Sequence, residues 1–438
     1  MYVITIYYTL FDTRQLYYRL CRGTAMILNI ETLLWVLKRT VISYLIVFFC
    51  AITSSAWVQA QSSASSIIPV LSLLLLDDEP VDEIAEVIAV ATGERHSCAL
   101  LSNGYIKCWG DNSHGQLGNG TTIQRLTPVT VIGITNATAI AAGKYHSCAR
   151  LSDGTVKCWG WNYYGQIGNG NKMNQYTPVT ARGITTATAI ATGKYHSCAR
   201  LSDGSVECWG ENLSGQLGLG DGAYQIFEKL YPVTVIGISN ATMISTGAWH
   251  SCARLSDGAF KCWGFNHHGQ LGDGTTTGRY TPVTVSVINN AIAIEGGTWH
   301  SCGRLSDGSV KCWGENSHGE LGDGTTTDSL IPVTVSGITN AVAITTNGQY
   351  SCARLNDGTV KCWGYNLYGQ LGDGTNTTRL TPVTVIGITN ATAIATGSGH
   401  SCARLSNDTV KCWGRNLDGQ LGDGTIMNRY VPVTVRGL

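Results

Sequence analysis

Fourteen cysteines and six histidines carry most of the chemistry this chain offers, and they recur in step. Cys98 and Cys108, Cys148 and Cys158, Cys198 and Cys208, Cys252 and Cys262, Cys302 and Cys312, Cys352 and Cys362, and Cys402 and Cys412 form seven pairs, each ten residues apart. Two thiolates per copy fall short of the four ligands of a structural zinc site, and their spacing matches none of its usual patterns. Disulfides are therefore the stronger reading and imply an oxidising compartment. His96, His146, His196, His250, His300 and His400 hold one place in six copies, with Tyr350 in the seventh. Groups spread evenly round a ring cannot share one metal ion at bond lengths of ~2 Å. Each imidazole is expected to satisfy a backbone group at a turn of its own copy. Asp273-Gly274-Thr275 and its copies suggest calcium, but the ligand spacing does not match, and side-chain-capped turns are expected. A catalytic base needs a partner unlike its symmetry mates, and no singular nucleophile or carboxylate pair stands out. The expectation is no enzyme, no cofactor and no bound metal.

The elements that position these residues follow from the repeat itself. The first cysteines advance by 50 residues, except for one step of 54 between Cys198 and Cys252. The copy from Ala187 reads ATAIATGKYHSCARLSDGSVECWGENLSGQLG, then a polar loop, then YPVTVIGI. Short apolar runs separated by Gly, Asn and Asp, with no helical stripe, give four strands: A (ATAIA), B (HSCARL), C (SVECWG) and D (PVTV). Seven such units predict an all-β fold, a seven-bladed β-propeller of four-stranded antiparallel blades, with the Ala- and Thr-rich strand A nearest the axis. A Ser-Asp-Gly loop between B and C sets Cys98 opposite Cys108, within disulfide range; a two-residue Asp-Gly turn would set it against Trp109. Closure stays open at this level: Pro432 to Val435 either joins the blade begun at Val87, or each unit is its own blade. The repeated arginines after strand B and lysines before the second cysteine are expected to link blades.

The string G-x-x-H-S, D-G-x-V and W-G-x-N-x-x-G-Q-L-G resembles the regulator of chromosome condensation repeat. Trp109-Gly110 with Gly115-Gln116-Leu117-Gly118 is one instance, and Trp363-Gly364 with Gly369 to Gly372 is another. The resemblance covers 87–438, about four-fifths of the chain. It implies the propeller strongly and function weakly, since the family includes a nuclear guanine-nucleotide exchange factor, a plant ultraviolet photoreceptor and a secreted bacterial inhibitor of β-lactamases.

The N-terminal segment points to export. Lys38-Arg39 precede the apolar run from Val41 to Ile52, and Val58-Gln59-Ala60 offers small residues for cleavage after Ala60. Residues 1–60 thus read as a signal region, with translation starting at Met1 or at Met26; an uncleaved anchor is the rival. Residues 61–86 form a linker, Ser-rich at first and then apolar from Ile67 to Leu76, where packing on the propeller flank is expected. The formal net charge is zero, which argues against nucleic acid. A secreted, periplasmic or cell-surface monomer is expected, touching a membrane only through an uncleaved signal.

Comparison among the copies locates a candidate surface. In an up-and-down blade, the A–B and C–D loops share one face and the B–C and D–A loops share the other. The latter scarcely change, whereas the former vary and are rich in aromatics: Tyr145, Trp161, Tyr163, Tyr164, Tyr195, Trp249, Phe265, His267, His268, Trp299, Tyr365 and Tyr368. Variable aromatic loops on a rigid scaffold predict a surface that binds a protein, or a glycan. The resemblance also implies guanine-nucleotide exchange on a small GTPase. The family's exchange factor uses an inserted wedge, however, and the extension here is four residues. Ultraviolet sensing would need the family's Trp-Arg-His-Thr signature, which is absent.

Overall fold

The computed structural model describes residues 85–220, 227–288 and 290–438. The signal region and all of the linker up to residue 84 lie outside the described residues, as does 221–226 of the longest C–D loop. Every regular element among the described residues is a strand. Seven four-stranded antiparallel sheets each take their strands in chain order. In blade 1 these are A (Val87–Thr92), B (His96–Leu101), C (Ile106–Gly110) and D (Arg125–Thr130). The A strands line a central channel.

The B–C turn adopts the three-residue form. Leu101 N donates to Tyr105 O and Gly104 N to Leu101 O, with Gly104 in the left-handed region at φ 80°. That loop sets Cys98 against Cys108, and the same register recurs in all seven blades. All seven pairs are disulfides with Cα atoms 4.0–4.1 Å apart. An Asp fills the glycine's place at Asp408, at φ 62°, where its carboxylate meets Arg404.

A break in the C–D ladder next to each second cysteine frees the tryptophan that follows. Trp159 of blade 2 buries its ring in the core of blade 1, against Leu117, Val131 and Ile134, and its indole N–H donates to Gln116 O at 2.9 Å. Each blade thus inserts a wedge into the one before it, where a ring contributes most of the buried apolar area. Gly118 is required twice over. Its φ is 64°, and a Cβ there would lie 2.8 Å from the Trp159 indole nitrogen.

The histidines do not serve their own blades, contrary to the expectation. His96 Nε2 lies 2.8 Å from Ser147 Oγ of the next blade, and the pattern continues through His146–Ser197, His196–Ser251, His250–Ser301 and His300–Ser351. Tyr350 spans the sixth step, 2.8 Å from Ser401 Oγ, and His400–Ser97 closes the belt at 2.8 Å. Each serine completes the link by donating to a backbone carbonyl of the preceding blade, as Ser147 does to Gln116 O. The serine proton is thereby committed, so the imidazole donates from Nε2, and burial, which lowers the ring to about 4 or 3, keeps it neutral. The sequence pattern placed these residues on a ring but could not show that the ring is a chain of hydrogen bonds between blades.

Each unit is its own blade. The last strand, Arg429–Thr434, pairs with the C strand of blade 7, so no strand is shared across the closure. Side chains close the ring instead: Trp109 and Ser97 both donate to Gln420 O, Lys107 to Gly437 O, and Arg404 to Val87 O. Arg254 likewise reaches Ala291 O and Lys157 reaches Gly133 O, the inter-blade role expected of the repeated cations. Asp273 acts as a turn cap: it accepts from Thr275 and Asn266 and is clamped by Arg279 at 2.7 Å.

Candidate partner-binding face

The C–D loops are held from inside by one asparagine each. In blade 2, Asn162 Oδ1 accepts from Ile167 N, while Nδ2 donates to Asn171 O and Met173 O. Gln166 Oε1 accepts from Tyr164 N, which pins the loop's outer turn. Buried amides satisfying loop backbone leave the neighbouring side chains free to vary. In blade 2 the displayed side chains are Trp161, Tyr163 and Tyr164, with Tyr145 arriving from the A–B loop.

The structure gathers ten of the twelve expected aromatic positions into one network of ring contacts. Trp161 meets Tyr145 at 5.8 Å, Tyr163 at 6.0 Å in a stacked pose, Tyr164 at 5.8 Å and Tyr195 of blade 3 at 5.1 Å. Tyr195 leads to Trp249 at 5.4 Å, and Trp249 stacks on Trp299 of blade 5 at 6.1 Å. Phe265 and His268 pack on Trp299 at 5.1 and 5.9 Å, and His267 lies on Phe265 at 4.3 Å. Such edge and offset contacts stabilise the rings while leaving apolar area available. Tyr365 and Tyr368 stand apart in a smaller group with His318 and Arg415.

Four residues of the face were not singled out from the sequence. His114 bridges Tyr145 and Trp161 at 5.1 and 5.7 Å, and His318 meets Tyr365 at 4.9 Å. Both occupy the loop position of Tyr164, His268 and Tyr368, which is the signal that would have found them. Lys144 sits over Tyr145 and Tyr195, and Lys194 over Tyr195 and Trp249 at 5.3 and 4.6 Å. Each directly precedes a chosen tyrosine. Lys144 also pairs with Glu94 at 3.1 Å. Cations seated on rings add attraction beyond packing.

Three carboxyls interrupt the face and the channel below it. Burial pushes Glu211 up to about 7, against the pull of Lys194 and Gln216. Glu320, which stands where six copies carry Gln, rises to about 8 through burial, and it accepts from His318 N at 2.8 Å. Glu295 replaces a small residue in the A strand of blade 5 and rises to about 7, also through burial.

The family model described as the RCC1-like domain matches residues 61–302. The regulator of chromosome condensation (RCC1) repeat model matches 307–354 and 357–404. Among solved structures, Prp20p from Saccharomyces cerevisiae is 19% identical with a TM-score of 0.68, covering 81% of this chain and 88% of its own. Prp20p is described as binding Gsp1p and histones. Human WBSCR16 is 20% identical with a TM-score of 0.69, covering 76% of this chain and 94% of its own. At these identities the likeness is one of fold. Ras guanine nucleotide exchange factor C of Dictyostelium discoideum is 46% identical over 54 residues, 12% of this chain and 4% of that protein.

Proposed function

The chain belongs to the RCC1-like domain family, and from that premise we propose that it is an exported, non-enzymatic propeller that binds a protein through its aromatic A–B/C–D face. The observation that carries this reading is the continuous arc of rings across blades 2 to 5, with two lysines seated over it. Interface hot spots are enriched in such aromatics, and a rigid frame lowers the ordering cost of association. The seven disulfides support export, since such bonds persist in oxidising compartments.

A photo-cross-linker at Tyr163, 59% exposed on the aromatic face, is compared with one at Ile132, 53% exposed on the opposite face. In the exported fraction of the host, a discrete adduct is expected from the first position only. The combined substitution Trp161→Ala, Tyr164→Ala, Trp249→Ala and Phe265→Ala should remove the adduct and leave the thermal midpoint within a few degrees. An adduct that survives those changes refutes the assignment of the face.

Exchange on a small GTPase is the second reading, favoured by the short match to the Dictyostelium protein and by the Prp20p fold. Acceleration of nucleotide release from a loaded Ras-type GTPase would support it. A reduced chain isolated from the cytosol would support it independently.

A further inference from the structure

The central channel, about 800 Å³ in volume, is uneven in a way that the propeller frame does not require. At the fifth position of strand A, blades 1 to 3 present alanines, whereas blades 4 to 6 present Ser245, Glu295 and Thr345. Glu295 Oε2 accepts from Ser245 Oγ at 3.3 Å, and Ser245 Oγ in turn accepts from Gly296 N at 3.1 Å. Thr345 and Thr396 join their hydroxyls at 2.9 Å. Thr92 and Thr346, each 6% exposed, line the same channel with hydroxyls that have no hydrogen-bond partner. No lysine, arginine or histidine among the described residues pairs with Glu295. Burial without a countercharge is what raises its carboxyl.

The channel is also lined by Glu94, which is paired with Lys144, and by Lys194, which lies over Tyr195 and Trp249. Glu295 is thus the lining carboxylate without a cation partner among the described residues, flanked by Ser245 and Thr345 on the neighbouring blades and facing the alanines of blades 1 to 3 across the channel. A hydrated divalent cation would ask for six or more oxygen ligands, several of them charged. A primary ammonium asks for one carboxylate and one or two hydroxyl acceptors, and an apolar stem behind it would lie against the alanines. We propose that the channel is a binding site for a protonated primary amine on an aliphatic stem, with Glu295 as its countercharge. The channel mouth shares Trp299, Lys144 and Lys194 with the aromatic arc, whereas Glu295 takes no part in the ring contacts of that arc, so Glu295 variants test the channel site by itself.

Isothermal titration of the full chain with n-hexylamine, and with 1-hexanol as its uncharged match, tests the proposal at pH about 8, where the carboxyl is ionised. The expectation is one site per chain for the amine, at least about tenfold tighter than for the alcohol. Glu295→Gln should abolish that gap and leave the alcohol's affinity unchanged. Glu295→Asp keeps the charge and should keep a preference for the amine, which guards against a Gln variant that fails to fold. Amine binding that is absent, no tighter than that of the alcohol, or equal in wild type and Glu295→Gln overturns the proposal.

Discussion

Acid should loosen this propeller well above the pH at which carboxylates usually fail, and the histidine belt is the reason. Burial lowers His96 and His250 to about 4, and His146, His196, His300 and His400 to about 3, from an ordinary 6.5. The unfolded chain therefore binds more protons than the native one between those values. The stability this contributes is full above pH 6.5 and is lost as pH falls toward 3 to 4. Glu211, Glu295 and Glu320, raised to about 7, 7 and 8, act oppositely, because there the native state holds the extra proton. Near neutrality the two sets almost cancel. At pH 5.5 the histidines outweigh the glutamates by about three protons, a slope of about 4 kcal/mol per pH unit. Against a total stability of about 5–15 kcal/mol, that slope brings unfolding within reach by pH about 4. The test is guanidinium unfolding, disulfides intact, at half-unit steps from pH 7 to 5, for wild type and His196→Tyr. The substitution copies what blade 6 does with Tyr350, whose hydroxyl reaches Ser401. It should reduce the slope by about one proton, a third of the whole. A flat profile, or one that His196→Tyr does not change, refutes neutral, linked imidazoles as the source.

Other outcomes follow from the same contacts. Trp159→Ala empties the wedge between blades 1 and 2 and should cost about 3–5 kcal/mol, read from the denaturation midpoint at unchanged slope. Glu320→Gln restores the residue of the other six copies. Because the raised carboxyl penalises the native state as pH climbs from 4.5 to about 8, the gain should be about 4 kcal/mol at pH 8 and vanish near pH 4.5. The bridge cysteines are at most 1% exposed, so reductant and alkylating agent together should leave the native protein unmodified and label all fourteen only after unfolding, as mass spectrometry would show. Intact mass from the native host should give a chain starting at Gln61 with no free thiol; a full-length reduced chain would return the exchange reading to the front.

The parts of the fold legible in the sequence were those that each copy states for itself. Strand order, the Ser-Asp-Gly turn and the cysteine register depend on contacts within about 15 residues, and seven repetitions made them readable. What was not legible lies between copies. Nothing local to His96 says that its partner is Ser147, 51 residues on, and nothing local to Trp159 says that its ring fills the blade before it. Closure was undecidable for the same reason: whether Arg429–Thr434 pairs within blade 7 or across to blade 1 is a choice between two partners of equal pattern. On the face, aromatic type and loop position found Trp161 and Trp299. His114 and Lys194 were passed over because their part in the arc comes from neighbours on adjoining blades.

That division bears on how the surface could have arisen. The belt, the wedges and the loop asparagines use the same positions in nearly every blade, so side-chain changes at Trp161, Phe265 or Tyr365 leave the frame's bonds intact. Four of the six loop glutamines show how this works. Gln116 and Gln216 donate to Asp111 and Glu211, but Gln166, Gln270, Gln370 and Gln420 have buried amides without acceptors, because Trp161, Phe265, Tyr365 and Arg415 stand where the carboxylates would be. A buried donor left without an acceptor costs about 1–3 kcal/mol. In three blades the frame therefore carries an aromatic on the display face at the expense of a hydrogen bond beneath it. Replacing Phe265 with Glu should accordingly stabilise the fold by about 1 kcal/mol at pH about 5, while weakening whatever the face holds. At that pH a carboxyl raised like that of Glu211 stays protonated, and its carbonyl oxygen still accepts from the amide. A substitution that gains stability without losing binding would break the link between that orphaned amide and the aromatic display.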